Sequence, residues 1–106
     1  MVTKMCIKRR NEFRINNSKK SKGHPAYIYK KERNEFYFIG ITHSEITHIT
    51  KNIKLDKNPN REDNRTSYAR PFATKEDVSK FGPKKKHWKL SRKDKKKMKI
   101  VRRNFR

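Results

Sequence analysis

Five polar residues that could bind and react with a phosphodiester lie at the ends of short predicted strands. They are His24, Thr42, His43, Ser44 and Arg70. A histidine can transfer protons near neutral pH, and an arginine can stabilise the charge that develops on a phosphorane. RNA supplies its own nucleophile, the 2′-hydroxyl group, so this chemistry needs no metal ion and no activated protein nucleophile. The simpler alternative is that these residues only cap strands or contact phosphates.

A predicted β-hairpin would bring part of this cluster together. Residues 26–29 and 35–42 are apolar runs separated by a polar turn, a pattern typical of a hairpin. The start of the first strand then lies beside the end of the second, so His24 and Thr42 should be neighbours at one rim of the sheet. The second run is apolar on both faces, which predicts a central, buried strand. Gly40 inside it indicates a bulge or a close backbone approach.

The remaining strand signals are short. Residues 52–55 and 67–70 each have the composition of a brief strand, and a long polar loop separates them. No helical pattern falls between the predicted strands, so a parallel fold with crossover helices is disfavoured. The predicted fold is mainly β: a small, strongly bent antiparallel sheet or SH3-like barrel with a short helix and a basic C-terminal helix.

Two capping-box patterns predict those helices. Thr74 and Asp77 have the required spacing, and Gly82-Pro83 is a stop signal, which together predict a short helix over about 75–81. Ser91 and Asp94 predict a longer helix over about 92–104. Its apolar residues have helical spacing and are expected to dock on the sheet, whereas its opposite face is almost wholly basic. These apolar residues are Met98, Val101 and Phe105.

The net charge of +22 on 106 residues is concentrated at the two ends of the chain. Residues 1–22 carry eight basic residues and one acidic residue, and residues 84–106 carry thirteen and one, whereas residues 23–83 carry eleven and eight. We predict a basic, partly mobile lead over residues 1–22 and a single domain over residues 23–106. The mutual repulsion of so many basic side chains favours binding to a polyanion. Nucleic acid is such a polyanion, because neutralising its phosphates releases condensed counterions. A merely solubilising surface needs a net charge of only about 2–8.

Other features exclude several protein classes. The single cysteine, Cys6, cannot form an internal disulfide. The sequence has neither an apolar run of membrane length nor a secretory signal. These features favour a cytoplasmic protein without membrane contact. The isolated glycines do not form a phosphate-binding loop. His43 and His48, with Glu45 between them, are five residues apart and do not share a helical face. We therefore predict no metal site and no cofactor.

Four segments resemble the PemK/MazF-like toxins of type II toxin–antitoxin systems. Residues 24–29 (HPAYIY) and 38–44 (FIGITHS) are similar to the opening hairpin of that family. Residues 67–70 (SYAR) are similar to the strand that carries its second functional arginine, and residues 88–94 (WKLSRKD) to the start of its C-terminal helix. The resemblance extends over about residues 22–104.

The resemblance implies an SH3-like barrel that dimerises and a metal-independent endoribonuclease that cleaves single-stranded RNA. The products would carry a 2′,3′-cyclic phosphate and a 5′-hydroxyl, and an acidic antitoxin would restrain the enzyme. Thr42 matches the active-site threonine of the family, and Arg70 matches the second arginine. His24 stands where the family has its principal catalytic arginine, a role for which Lys22 or His43 could compensate.

The basic tail would hold the RNA backbone, and aromatic side chains, including Tyr27, would stack on bases. The predicted nucleic-acid-binding residues are Lys22, His43, Ser44, Tyr68, Lys84, Lys85, Lys86, Trp88, Arg92 and Lys96. Two functions remain open on this basis. One is an endoribonuclease toxin of a toxin–antitoxin or mobile-element system. The other is a non-catalytic nucleic-acid-binding protein on the same fold, such as a phage or mobile-element regulator, an inhibitor, or a ribosome-associated protein.

Overall fold

A computed structural model describes residues 6–10, 13–14, 20–21 and 23–106 of the protein. These residues are mainly β, as predicted, with one short α-helix. In chain order the strands are β1 (Cys6–Arg10), β2 (Phe13–Arg14), β3 (Lys20–Ser21), β4 (Pro25–Glu32), β5 (Glu35–Thr42), β6 (Ile46–Thr47), β7 (Thr50–Lys51), β8 (Ile53–Lys54), β9 (Tyr68–Ala69), β10 (Thr74–Asp77) and β11 (Phe81–Lys84). The helix α1 spans Arg92–Val101, and a 3-10 turn spans Val78–Lys80.

The main sheet is antiparallel, with strand order β11-β1-β4-β5-β9-β8 and with β10 added beside β5. Two small pairs, β2–β3 and β6–β7, lie outside it. The path has β11 at one end and β8 at the other, so the sheet formed by the described strands is open and is not closed into a barrel. Within the described residues, no helix has both the length and the apolar character that a membrane crossing requires.

The predicted hairpin is present as β4 and β5. Ala26 pairs with Gly40, and Glu32 pairs with Glu35, which leaves a two-residue turn. The first residue of that turn, Arg33, has a φ of 55°. β5 pairs with β4 on one side and with β9 and β10 on the other, which confirms the prediction of a central strand.

The two faces of β5 belong to two different core clusters, because successive side chains of a strand point to opposite faces. Ile39 and Ile41 pack in the larger cluster with Met98 and Val101 of α1. Phe38 belongs to the smaller cluster. The other buried members of the smaller cluster are Ala26, Ile28 and Phe81. The predicted docking of the C-terminal helix on the sheet is therefore confirmed for Met98 and Val101.

The helix α1 begins as predicted but ends earlier. Ser91 is the N-cap, and its Oγ accepts a hydrogen bond from the backbone N–H of Asp94 at 3.1 Å. The Asp94 carboxylate is wholly buried and accepts hydrogen bonds from the backbone N–H groups of Asp56 (2.7 Å) and Lys57 (3.2 Å). It thus ties the helix to the loop after β8. The helix ends at Val101 rather than near residue 104.

Phe105 lies beyond the end of α1 rather than on its apolar face. It forms an isolated parallel bridge with Ala73, and its ring centroid is 5.5 Å from that of Tyr37. The side chain is about half exposed, at 48%. The segment after the helix therefore packs beside the chain that leads into β10.

The predicted helix over 75–81 is wrong. Residues Thr74–Asp77 pair with β5 as strand β10, because the cross-strand partner of this segment outweighs its helical signal. Asp77, predicted as the second residue of a capping box that starts at Thr74, instead caps the 3-10 turn by accepting a hydrogen bond from the backbone N–H of Ser79 at 2.9 Å. Gly82 and Pro83, expected to stop a helix, lie in β11 at the end of the sheet, where proline's missing donor is tolerated.

Part of the basic lead belongs to the main sheet. β1 pairs with β4 through Cys6 to Arg9, and it also pairs with β11. The sequence did not predict β1 as a strand. Ile7 in this strand is buried in the larger core cluster. Lys22 and the rest of the lead, apart from β2 and β3, lie outside the described residues, and so does the prediction that the lead is mobile.

Candidate active site

A cavity of about 340 Å³ opens where β5 changes its pairing partner. Residues 41–42 of β5 pair with β9, and residues 35–38 pair with β10. The four residues between these strands, Arg70–Ala73, lie opposite only two residues of β5, Ile39 and Gly40. Such bulges bend a strand and redirect its side chains. Here the bulge directs Arg70 and Phe72 into the cavity.

The three predicted catalytic residues meet in this cavity. His24 comes from the start of β4, Thr42 from the end of β5 and Arg70 from the bulge, and all three line its wall. The expected proximity of His24 and Thr42 follows from the hairpin register, since Ala26 pairs with Gly40. Glu76 of β10 lines the same cavity and adds a carboxylate. The four side chains provide an acid or base, a hydroxyl, a cation and an anion around one space.

Arg70 is fixed at several points. Its Nη1 donates a hydrogen bond to Oδ1 of Asn52 at 2.7 Å, and its backbone N–H donates to the carbonyl of Gly40 at 2.9 Å. The guanidinium carbon lies 4.9 Å from the ring centroid of Phe72. The bond to Asn52 uses one of the five N–H donors of a guanidinium, a group suited to phosphate oxygens. The arginine is therefore pre-oriented toward the cavity.

Asn52 organises the turn that borders the cavity. Its side chain is nearly buried, and its Nδ2 donates hydrogen bonds to the carbonyl of Ser44 at 2.9 Å and to Oγ1 of Thr47 at 2.8 Å. Its backbone N–H donates to the carbonyl of Glu45 at 2.8 Å. The same side chain thus holds the β6–β7 hairpin and Arg70. The sequence indicated Asn52 only as the start of a strand, because all of these partners are brought together by the fold.

Gly40 allows Arg70 to cross the strand. A Cβ atom at position 40 would lie 3.2 Å from Cγ of Arg70, which is tighter than most contacts of this kind. The predicted close approach at Gly40 is therefore confirmed, whereas the bulge in β4–β5 pairing falls between Ile28 and Lys30. Beside it, Oγ1 of Thr42 accepts a hydrogen bond from the backbone N–H of Ser44 at 3.3 Å. Ser44 itself is exposed.

A second cavity, of about 330 Å³, shares His24, Pro25 and Ile41 with the first. His43 lines this second cavity and not the first. Its Nδ1 lies 3.2 Å from the carbonyl oxygen of Thr66, and its Nε2 lies 3.7 Å from Oδ2 of Asp63. His43 and Arg70 therefore line different cavities.

The second cavity also contains an ionised carboxylate and an unpartnered hydroxyl. Arg65 donates to both oxygens of Asp63, with the shortest bond at 2.6 Å, and this interaction lowers the pKa of the carboxyl below its usual range. Oγ of Ser67 is buried and has no hydrogen-bond partner. An unpaired buried hydroxyl is unfavourable, so this wall contributes less to stability than its burial suggests.

The predicted base-stacking residues differ in accessibility. The Trp88 ring is half buried and already carries two cations, with the Arg9 guanidinium carbon 5.3 Å and the Lys85 Nζ 5.5 Å from its centroid. Tyr68 is partly exposed and pairs with Thr42 across β9 and β5. Tyr27 is buried in the larger core, which raises the pKa of its hydroxyl, and a stacking role for it is wrong.

The predicted backbone-binding residues lie on two elements. Arg92 and Lys96 are exposed on α1. Lys84 and Lys86 are exposed at and after the end of β11, with Lys85 half buried between them. These residues do not line the first cavity.

Glu76 and Phe72 line the first cavity and were not among the predicted site residues. Glu76 was predicted to lie in a helix. In a strand, side chains two residues apart point to the same face, so Glu76 and Thr74 both line the cavity. Phe72 follows Pro71 in a segment without periodicity.

A scan against protein-family models finds no match, and searches of curated proteins and of solved structures find no significant similarity to this chain.

Proposed function

We propose that this protein is a PemK/MazF-like endoribonuclease that cleaves single-stranded RNA without a metal ion. The observation that supports this most directly is the meeting of His24, Thr42, Arg70 and Glu76 in one cavity. The net charge of +22 supports a polyanionic substrate. The resemblance stated above supports RNA as that polyanion.

The cavity residues suit cleavage by the 2′-hydroxyl group of the RNA. Glu76 accepts the proton of this hydroxyl as its oxygen forms a bond to phosphorus. The guanidinium of Arg70 and the hydroxyl of Thr42 donate hydrogen bonds to the non-bridging oxygens, where negative charge develops. The bond from phosphorus to the 5′-oxygen then breaks, and protonated His24 donates a proton to that oxygen. The products are a 2′,3′-cyclic phosphate and a 5′-hydroxyl, and Glu76 and His24 exchange protons with solvent afterwards.

The use of histidine at position 24 distinguishes this site from that of the family. Histidine lacks the bidentate donors of arginine but transfers protons near neutral pH. In this proposal Arg70 supplies the fixed positive charge among the described residues that line the cavity, and its bond to Asn52 keeps it in place. Cleavage should therefore need both the proton acceptor Glu76 and the proton donor His24.

The remaining properties of the proposal follow from the resemblance and the charge. The open sheet would correspond to an SH3-like barrel that is not closed between β8 and β11. A homodimer, a cytoplasmic location and restraint by an acidic antitoxin belong to the same proposal. An acidic segment would find thirteen basic residues along residues 84–106.

The test is to incubate purified protein with a long single-stranded RNA in EDTA and to map the cleavage ends. We expect discrete cuts with cyclic-phosphate ends. The variants Arg70→Ala, Thr42→Ala and Glu76→Gln should each lower the cleavage rate about 100-fold or more, with less than about tenfold change in RNA affinity. Arg61→Ala is the matched control, because Arg61 is an exposed arginine outside the first cavity.

Two results would contradict parts of this proposal. Loss of affinity in step with cleavage would show that the cavity residues bind RNA rather than act on it. RNA that is shifted on a gel but never cut would replace the endoribonuclease with a non-catalytic nucleic-acid-binding protein. In that case, affinity should fall steeply with salt and should depend on residues 84–106 more than on Arg70.

A further inference from the structure

The turn of the β6–β7 hairpin has an unfavourable backbone for its sequence. His48 and Ile49 both have left-handed φ values, of 47° and 62°. Two-residue turns with positive φ at both positions favour Asn-Gly or Gly-Gly, since a Cβ atom is disfavoured there. A β-branched residue with positive φ is a genuine outlier. Ile49 is therefore one of the poorest residues for this position in terms of stability.

Nothing in the fold offsets this strain by burial. Ile49 is 100% exposed, and Ile46 on the same hairpin is 60% exposed. An exposed apolar side chain gains no hydrophobic stabilisation, whereas a glycine would remove the strain. Backbone strain that brings no gain within the fold points to a role outside it.

The hairpin stands at the edge of the proposed active site. Thr47 and His48 line the cavity that contains Arg70. The side chain of Asn52 binds both Thr47 and Arg70, at 2.8 Å and 2.7 Å. The hairpin tip is thus held in a fixed relation to the guanidinium. An RNA strand whose phosphate binds Arg70 would pass beside Thr47 and His48, the residues of this hairpin that line the cavity.

We propose that Ile49, assisted by Ile46, contacts a nucleobase of the RNA strand whose phosphate binds Arg70. The inference rests on the RNA-binding part of the proposed function. It adds that apolar side chains of the hairpin hold a base beside the cleaved phosphate. Inserted apolar side chains are an established way to separate or pack against bases. Around the tip the cations Arg70 and Lys51 are balanced by Glu45 and Glu76, so the choice of a nucleic acid rests on the net charge of +22 and on the guanidinium of Arg70.

The test compares three substitutions at one position. Ile49→Gly and Ile49→Asn remove both the strain and the apolar side chain, whereas Ile49→Val keeps both. Binding is measured by fluorescence anisotropy with a single-stranded RNA oligonucleotide and with an abasic oligoribonucleotide of the same length. Thermal unfolding of each variant is recorded in parallel.

We expect Ile49→Gly and Ile49→Asn to unfold at the same temperature as the original protein or higher, and to bind the RNA about tenfold more weakly. Ile49→Val should bind as the original does. All four proteins should bind the abasic oligonucleotide equally. A variant that is at least as stable as the original protein, but binds only the base-containing RNA more weakly, is not expected if Ile49 has a purely structural role.

Three outcomes would overturn the inference, and a fourth separates it from the proposed function. Unchanged RNA binding by Ile49→Gly would overturn it. Equal weakening toward both oligonucleotides would overturn it too, because the hairpin would then act by positioning Arg70. Loss of self-association in Ile49→Gly, with RNA binding kept, would assign the tip to a second copy of the chain. Failure of the original protein to bind either oligonucleotide would instead overturn the proposed function itself.

Discussion

The two faces of β5 differ in what covers them. On one face Ile39 and Ile41 lie in the core beneath α1, and the helix is tied down by the buried carboxylate of Asp94. On the other face Gly40 and Thr42 line an open cavity. A strand with alternating side chains can therefore serve both purposes at once.

Under the proposed function, stability and chemistry are divided between these two faces. The helix-covered face contains the fully buried carboxylate of Asp94, which accepts hydrogen bonds from the backbone N–H groups of Asp56 and Lys57. The cavity face carries a strained turn and polar groups that are partly open to solvent. Substitutions on the first face should change unfolding, and substitutions on the second should change RNA cleavage. The following predictions test that division.

The largest effect on stability is expected for Asp94→Ala. The substitution leaves the backbone N–H groups of Asp56 and Lys57 without their acceptor and loosens the start of α1. We expect the free energy of unfolding to fall by about 3 kcal/mol in urea denaturation. Asp94→Asn, which keeps one acceptor oxygen, should lose about half as much. A decrease below about 1 kcal/mol for Asp94→Ala would mean that the helix is held mainly by Met98 and Val101.

Asn52→Ala should affect both properties, because Asn52 connects the hairpin to Arg70. The loss of three side-chain hydrogen bonds should lower the free energy of unfolding by about 2 kcal/mol. Cleavage should fall about tenfold at a temperature where the variant remains folded. Asn64→Ala, at an exposed position of the loop between β8 and β9, is the control for stability. If cleavage were unchanged, Arg70 would not need Asn52 for its orientation.

Gly40→Ala is expected to separate the two properties. The new methyl group would meet Cγ of Arg70 at 3.2 Å and displace the guanidinium, whereas alanine is more favourable than glycine within a strand. The free energy of unfolding should therefore change by less than about 1 kcal/mol, while cleavage falls about fivefold. Gly82→Ala in β11 serves as control. Equal cleavage by the two variants would show that Arg70 moves aside without loss of function.

The smallest effect concerns acid stability. Arg65 lowers the pKa of Asp63, so the ionised carboxylate stabilises the folded state above the unfolded value of about 3.9, and this contribution is lost as the pH falls. Between pH 6 and pH 3 the urea midpoint of the original protein should therefore decrease more than that of Asp63→Asn. Parallel pH profiles for the two proteins would mean that the Asp63–Arg65 pair is already screened by solvent.

Local signals in the sequence were sufficient for the hairpin and for the start of α1. Two apolar runs and the polar turn between them predicted β4 and β5, and their register brought His24 beside Thr42. Ser91 predicted the cap of α1. Each of these depends on residues that are close in sequence, where turn and capping chemistry operate.

The failures involve segments whose structure is decided by distant partners. β1 carries a basic run but is ordered by β4 and β11. The segment 74–77 has the spacing of a capping box yet pairs with β5, and Glu76 was missed with it. Asn52 likewise gains its role only through bonds to Thr47 and Arg70. Such long-range contacts override local propensity and have no signature in a single sequence.

The burial of Asp94 has a consequence for the rate at which a partner finds this protein. It is the single acidic residue among residues 84–106, and the fold removes it from the surface. An approaching polyanion therefore meets thirteen cationic side chains in that segment and no exposed acidic side chain. Such a one-signed surface guides diffusion and can raise association rate constants well above those of neutral surfaces. Capture of a partner should be fast at low ionic strength and slow markedly as salt is added.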